Sequence, residues 1–248
     1  MNKYILQRLF LVIVFLAALS TLAACRKATQ DKPVASTPVA GGANRPTSTS
    51  LSLEAAKAPN APPSVAFVSA TELYSLRTPS GWIVEEIVPG AGLVMANSEA
   101  ALNRARSGSA TEPGDFTLNL GFLPMALLKE KELSHLGFQL EAPAEVVLQS
   151  LLPLFQIDAD PAAEVLDQAV RISLRDEREA GMLTVTSEAR EGMILLFEAS
   201  DGVLALVSTV AYQGEMAEYQ EITYAIAAEV AYNGAQDALY GVLLGGKR

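Results

Sequence analysis

The chain has 248 residues, half of them hydrophobic, and a formal net charge of −10. The charge is unevenly spread: residues 65–248 hold 11 Lys or Arg against 26 Asp or Glu, together with most of the large apolar side chains. So acidic a segment argues against nucleic-acid binding, which needs clustered cations for phosphate. The single cysteine, Cys25, lies outside it, which excludes cysteine-based zinc, iron–sulfur and redox sites there.

The first 24 residues follow the three-part plan of a secretory signal peptide. Lys3 and Arg8 supply early positive charge, residues 9–19 (LFLVIVFLAAL) are wholly apolar, and small residues follow. The apolar run is about half the roughly 20 residues that span a bilayer core, so a permanent transmembrane helix is the weaker reading. The run closes on Leu22-Ala23-Ala24-Cys25. That tetrapeptide resembles the bacterial lipoprotein signal. The resemblance implies that the Cys25 thiol carries a diacylglycerol, that the chain is cut just before it, and that Leu22, Ala23 and Ala24 are the residues recognised. A thiolate is the soft nucleophile such a thioether requires, whereas a spare exposed thiol would be a liability in an oxidising exterior. Two or more acyl chains hold a protein firmly where one does not. The expected location is the extracytoplasmic face of a bacterial membrane, with the membrane reached through lipid on Cys25.

Of the 39 residues at 26–64, 25 are Ala, Gly, Pro, Ser or Thr. Such a composition buries too little apolar surface to offset its ordering entropy. Residues 25–64 are therefore read as the lipidated cysteine and a disordered tether, reaching on the order of 35 Å as a flexible coil. A globular domain is expected over 65–234, and a tail over 235–248 that the pattern does not place.

Within the domain, residues 73–88 read as two strands around a Pro-Ser-Gly turn, and 92–98 as a third. Residues 98–107 fit a short helix capped by Ser98. Residues 115–123 alternate, with Phe116, Leu118, Leu120 and Phe122 on one face, and predict a half-buried strand. Residues 125–140 are helical in part. A helix over 143–155 presents Val147, Leu151 and Leu154, and Pro153 bends or ends it. Four strands follow: 170–178 with Val170, Ile172 and Leu174 inward, 182–190 after a Gly181 turn, then 193–199 and 203–212 around Asp201-Gly202, a strong hairpin signal. The last two are almost entirely apolar, which predicts central strands covered on both faces. Residues 214–234 form an amphipathic helix with a Met216, Tyr219, Ile222, Ile226 and Val230 stripe, acidic residues at its positive end, and an Asn233-Gly234 stop.

Strands, a helical insertion, an antiparallel meander and a closing helix make an α+β fold: an antiparallel sheet of about six to eight strands with helices packed on both faces. This order, with Pro79, Gly81 and Trp82 in RTPSGW, resembles the PsbP-like superfamily over roughly residues 70–233. That superfamily includes extrinsic photosystem II subunits, a Ran-binding import factor and many bacterial lipoproteins. The resemblance implies an α/β/α sandwich and a non-enzymatic binding or assembly role. It carries over no metal ligand or partner contact.

Chemistry-bearing residues are sparse. His135 is the only histidine, and no G-x-S-x-G turn accompanies it. Asp158 and Asp160 open like a calcium loop, but Ala162 and Ala163 occupy the next ligand and glycine positions. Turn-forming aspartates ahead of Pro161 are the preferred reading. The run at 175–181 (RDEREAG) reads as a solvated turn, and Trp82 as a core anchor. No catalytic or cofactor-binding residue is assigned and no cofactor is implied. The expected function is a non-enzymatic accessory factor that binds a protein partner or assists assembly of a complex. The alternatives are a lipoprotein that binds a small ligand or a cation, and a hydrolase using His135 or a carboxylate pair.

Overall fold

The structure is a computed structural model and describes residues 63–129, 138–152, 164–165, 168–187 and 189–244. It has the expected α+β class, built on an eight-stranded antiparallel sheet and a second sheet of three strands.

The meander forms the middle of the large sheet. Strands β9 (Arg190–Ser200) and β10 (Val203–Tyr212) pair through the Asp201-Gly202 turn, where Gly202 adopts φ 71. That left-handed conformation costs glycine nothing. Strand β10 pairs on its other side with β5 (Phe116–Pro124), and every residue from Val203 to Val207 is buried. The doubly covered centre expected from the apolar runs is therefore present. Strand β5 departs from its half-buried reading. Its alternate residues Thr117 and Asn119 are buried as well, so both its faces are covered.

From β5 the sheet continues through β4 (Gly92–Ala96) to β3 (Ile83–Val88), one outer strand. From β9 it continues to β8 (Glu179–Thr186), whose far side is shared by β7 (Val170–Ser173) and the two-residue β6 (Glu164–Val165). Because β7 is an outer strand, Val170 is exposed rather than inward, while Leu174 is buried as expected.

Helices cover both faces. Side chains alternate across β4: Leu93 and Met95 join the main core, while Val94 and Ala96 meet Ala101 and Leu102 of α1 (Glu99–Ser107) on the opposite face. Helix α1 begins as predicted, with the Ser98 hydroxyl accepting from the Ala101 amide at 3.0 Å. On the same face as α1, α3 (Ala144–Leu151) packs against β8 and β9 and ends before Pro153. A Cβ on Gly181 would lie 2.5 Å from the Ala144 carbonyl oxygen. Gly181 is thus a strand residue that lets a helix approach. The turn assigned to it lies instead at Arg175–Arg178.

The other face carries α4 (Met216–Ala228), whose predicted stripe is buried from Met216 to Ile226. The helix stops earlier than the sequence suggests. Ala231 and Tyr232 leave it as strand β11, which pairs with β2 (Tyr74–Pro79). Strand β2 also pairs with β1 (Pro63–Val68), giving the small sheet the order β1-β2-β11. Tyr74 and Tyr232 of this sheet each stand 4.9 Å from the Phe122 ring, tying it to the large sheet. A short helix, α2 (Met125–Leu128), follows β5. The unplaced residues after 234 supply α5 (Gln236–Leu244), which buries Leu239 and Leu243.

Candidate functional site

The sequence-assigned residues Leu22, Ala23, Ala24, Cys25, His135, Asp158 and Asp160 all lie outside the described residues. Of the Asp-rich stretch only Glu164, with Val165, is described, as strand β6. Among the described residues no three His, Cys, Asp or Glu side chains gather to hold a metal ion. Trp82 is the core anchor expected of it: it is buried, and its ring centre lies 5.3 Å from that of Phe116.

The most elaborate polar cluster joins α1, the start of β5 and the N-terminal end of α4. Asn97 sits where β4 gives way to α1. Its side-chain oxygen accepts from the Phe116 amide at 3.1 Å, and its nitrogen donates to the Gly114 carbonyl at 2.7 Å and to the Tyr219 hydroxyl at 3.3 Å. The Gly114 amide donates to Glu215 at 2.8 Å. Beside them Arg104 grips Asp115 through two bonds of 2.6 and 2.5 Å and meets Glu112 at 3.0 Å. Asp115 also accepts from the Glu112 amide at 2.9 Å. Asp115 holds the Arg104 guanidinium above its ordinary range. Burial, aided by Glu215, pushes the Tyr219 hydroxyl up to about 12. Tyr219 stacks on Phe116 at 4.3 Å. The cavity next to Arg104, Asp115, Thr117 and Arg190 measures about 20 Å³, room for a single water. The donors and acceptors here face one another, so the cluster works as a joint between elements.

A second unread contact lies in the RDER turn. Arg178 is not a solvated charge: its guanidinium donates to the carbonyls of Ala227 and Ala228, both at 3.0 Å, and lies 4.8 Å from the centre of the Phe197 ring. It satisfies the last carbonyls of α4 at the negative end of that helix.

The surface offers a different kind of site. The exposed large apolar side chains among the described residues are Val65 (48%), Val68 (57%) and Val170 (44%), and all three stand on outer strands. Strand β1, with the sequence PSVAFV, has no charged residue and, among the described residues, pairs only with β2. A strand paired on one side turns the other half of its N–H and C=O groups outward. Helix α4 packs against β1 and β2. It exposes Glu218 and Glu221, and Glu229 just past its end pairs with Arg77 of β2 at 3.8 Å. No Lys or Arg occurs from Gln213 to Gly246. The V-A-F-V run held a signal for β1, but the prolines at 62 and 63 merged it with the Pro-rich segment ahead of it.

No family model and no curated protein matches the chain. Among solved structures it is similar to cyanobacterial PsbP from Synechocystis, at 13% identity and a TM-score of 0.44, over 75% of this chain and 98% of that one. It is also similar to LpqN, involved in cell envelope biogenesis of Mycobacterium tuberculosis, at 12% identity and a TM-score of 0.39, over 65% and 83% of the two chains. A third likeness, to a protein of Bacteroides thetaiotaomicron, has 12% identity and a TM-score of 0.35, over 68% and 48%. A PsbP, of the family that the sequence resembles, is among the solved structures this chain is similar to. These likenesses concern shape alone.

Proposed function

We propose that this protein is a lipid-anchored, extracytoplasmic accessory factor that holds another exported or membrane protein beside the bilayer. The observation that carries the reading is the Leu22-Ala23-Ala24-Cys25 motif, set between an apolar run and the Ala-, Pro-, Ser- and Thr-rich residues 26–64. A diacylglyceryl Cys25 places the domain at a membrane surface, and the residues between serve as a spacer. Among the described residues no helix is long and apolar enough to cross a membrane, so those residues supply no alternative anchor of that kind. The role as a binding factor is supported by the exposed apolar side chains on β1.

The anchor is tested by mass spectrometry of the mature N-terminal peptide and by membrane fractionation of wild type and Cys25→Ser. The expected peptide begins at a Cys25 that carries the lipid mass, and the variant leaves the membrane fraction. An unmodified N-terminus downstream of Cys25, with membrane association unchanged in the variant, would refute the anchor.

A further inference from the structure

We propose that Asn233 is a site of spontaneous covalent modification, converting through a cyclic imide to aspartate and isoaspartate, and that the isoaspartate form loosens the small sheet from the core. The chain holds seven asparagines, and only Asn233 precedes a glycine. Cyclisation needs the main-chain nitrogen of the next residue to reach the side-chain carbonyl carbon. It is quickest where that nitrogen is unhindered by a Cβ and free of hydrogen bonds. Asn233 is exposed and lies between β11 and α5, outside both elements. Among the described residues its side chain makes no hydrogen bond, and the Gly234 amide donates none. The other described asparagines are shielded. Asn97 is buried with both side-chain polar atoms engaged, Asn119 is buried within β5, and Asn103 lies inside α1, where the backbone is held helical. The fold asks for glycine at 234 on its own account: a Cβ there would lie 2.7 Å from the Leu73 side chain and 3.1 Å from the Tyr232 ring. The residue that packs the chain past Leu73 is thus the one that leaves Asn233 reactive.

The reaction needs only water. The Gly234 nitrogen gives its proton to solvent hydroxide and bonds to Asn233 Cγ, the Cγ–Nδ2 bond breaks, and ammonia leaves. Water then opens the ring. Attack at Cγ gives aspartate; attack at the main-chain carbonyl leaves the chain running through Cβ and Cγ, which is isoaspartate. Both products add a negative charge, and isoaspartate also lengthens the main chain by one methylene. The added atom falls between two fixed points. On one side the Asn233 amide donates to the Leu73 carbonyl at 2.7 Å, closing the pairing of β11 with β2. On the other, α5 is held by the buried Leu239. Strand β11 has only the register pairs Ala231 with Ser75 and Tyr232 with Tyr74, so it is the element that gives.

The test incubates the full chain at mildly alkaline pH, folded and unfolded in urea, and follows the peptide containing Asn233 by mass spectrometry with fragmentation that separates aspartate from isoaspartate. A segment outside helix and strand reorients at little cost, so folded Asn233 is expected to convert within about tenfold of its unfolded rate. Conversion should quicken as pH rises and yield isoaspartate, while Asn97, Asn103 and Asn119 stay intact in the folded protein. Conversion confined to the unfolded chain, aspartate without isoaspartate, or equal conversion of Asn103 would each overturn the site. Amide hydrogen exchange then reads the consequence. In the isoaspartate form, exchange at residues 74–75 and 231–233 is expected to quicken about tenfold. Asn233→Asp, which adds the charge without the methylene, should leave it unchanged. Unaltered exchange in the isoaspartate form, or equal quickening in Asn233→Asp, would overturn the loosening.

Discussion

Glu177 is one of two non-glycine residues among those described with positive φ, at 69°. It is exposed in the turn closed by the Leu174 and Arg178 main chains. A side chain in this left-handed region crowds its own carbonyl, and glycine does not. Glu177→Gly is therefore expected to raise stability by about 0.5–1 kcal/mol, after allowing for the freer unfolded chain, as a higher urea midpoint at unchanged slope. Gly181 presents the opposite case. Its missing Cβ is what admits the Ala144 carbonyl and the Glu145 backbone. Neither neighbour is the end of a flexible side chain, so Gly181→Ala is expected to cost about 1–3 kcal/mol by forcing α3 away from the sheet. A neutral result by the same urea titration would mean that α3 adjusts freely.

At the scale of elements, Arg178 closes α4. Its two carbonyl bonds and its ring contact join the turn before β8 to the end of a helix some fifty residues later. The side chain is 24% exposed, which weakens the interaction through solvent. Arg178→Ala is expected to cost about 1–2 kcal/mol, and Arg178→Lys to recover only part, because one ammonium cannot match the planar fork. Hydrogen exchange near Ala227 and Ala228 should quicken in both variants. This contact also shows where sequence reading stops. Periodicity identified β5, β9, β10 and the buried stripe of α4 because their patterns are local and strong. It could not show that α4 ends at Ala228, because Tyr232 is drawn away by pairing with Tyr74, far off in sequence. Nor could it separate a solvated arginine from one that caps a distant helix. The tetrapeptide proposed as a lipidation signal was legible in the sequence. The β1 edge was not, since an edge exists only once the order of strands is known.

At the scale of the whole molecule, burial leaves tyrosine hydroxyls resistant to ionisation. Tyr219 and Tyr232 are each pushed up to about 12, and Tyr74 is raised further by burial and by the nearby Glu86 carboxylate. The hydroxyl of Tyr232 makes no hydrogen bond among the described residues, so no bond offsets its burial. An acid whose folded pKa lies above its unfolded value contributes stability that is whole below about pH 10 and is lost as pH rises toward 12. Stability should therefore fall between pH 10 and 12. Tyr232→Phe should lessen the fall while changing little at pH 7, and a urea midpoint that stays level across that range would contradict the burial described here.

The proposed function belongs to the same scale, since it requires that a lipid on Cys25 and the residues after it hold the acidic domain and a partner at the membrane. Crosslinking and recovery from native membranes, comparing wild type with Cys25→Ser, tests this most directly. The account predicts a discrete partner crosslinked to the wild type and lost from the Cys25→Ser variant. Recovery of the same partner at equal yield without the anchor, or no crosslinked protein while the wild type still fractionates with membranes, would contradict it.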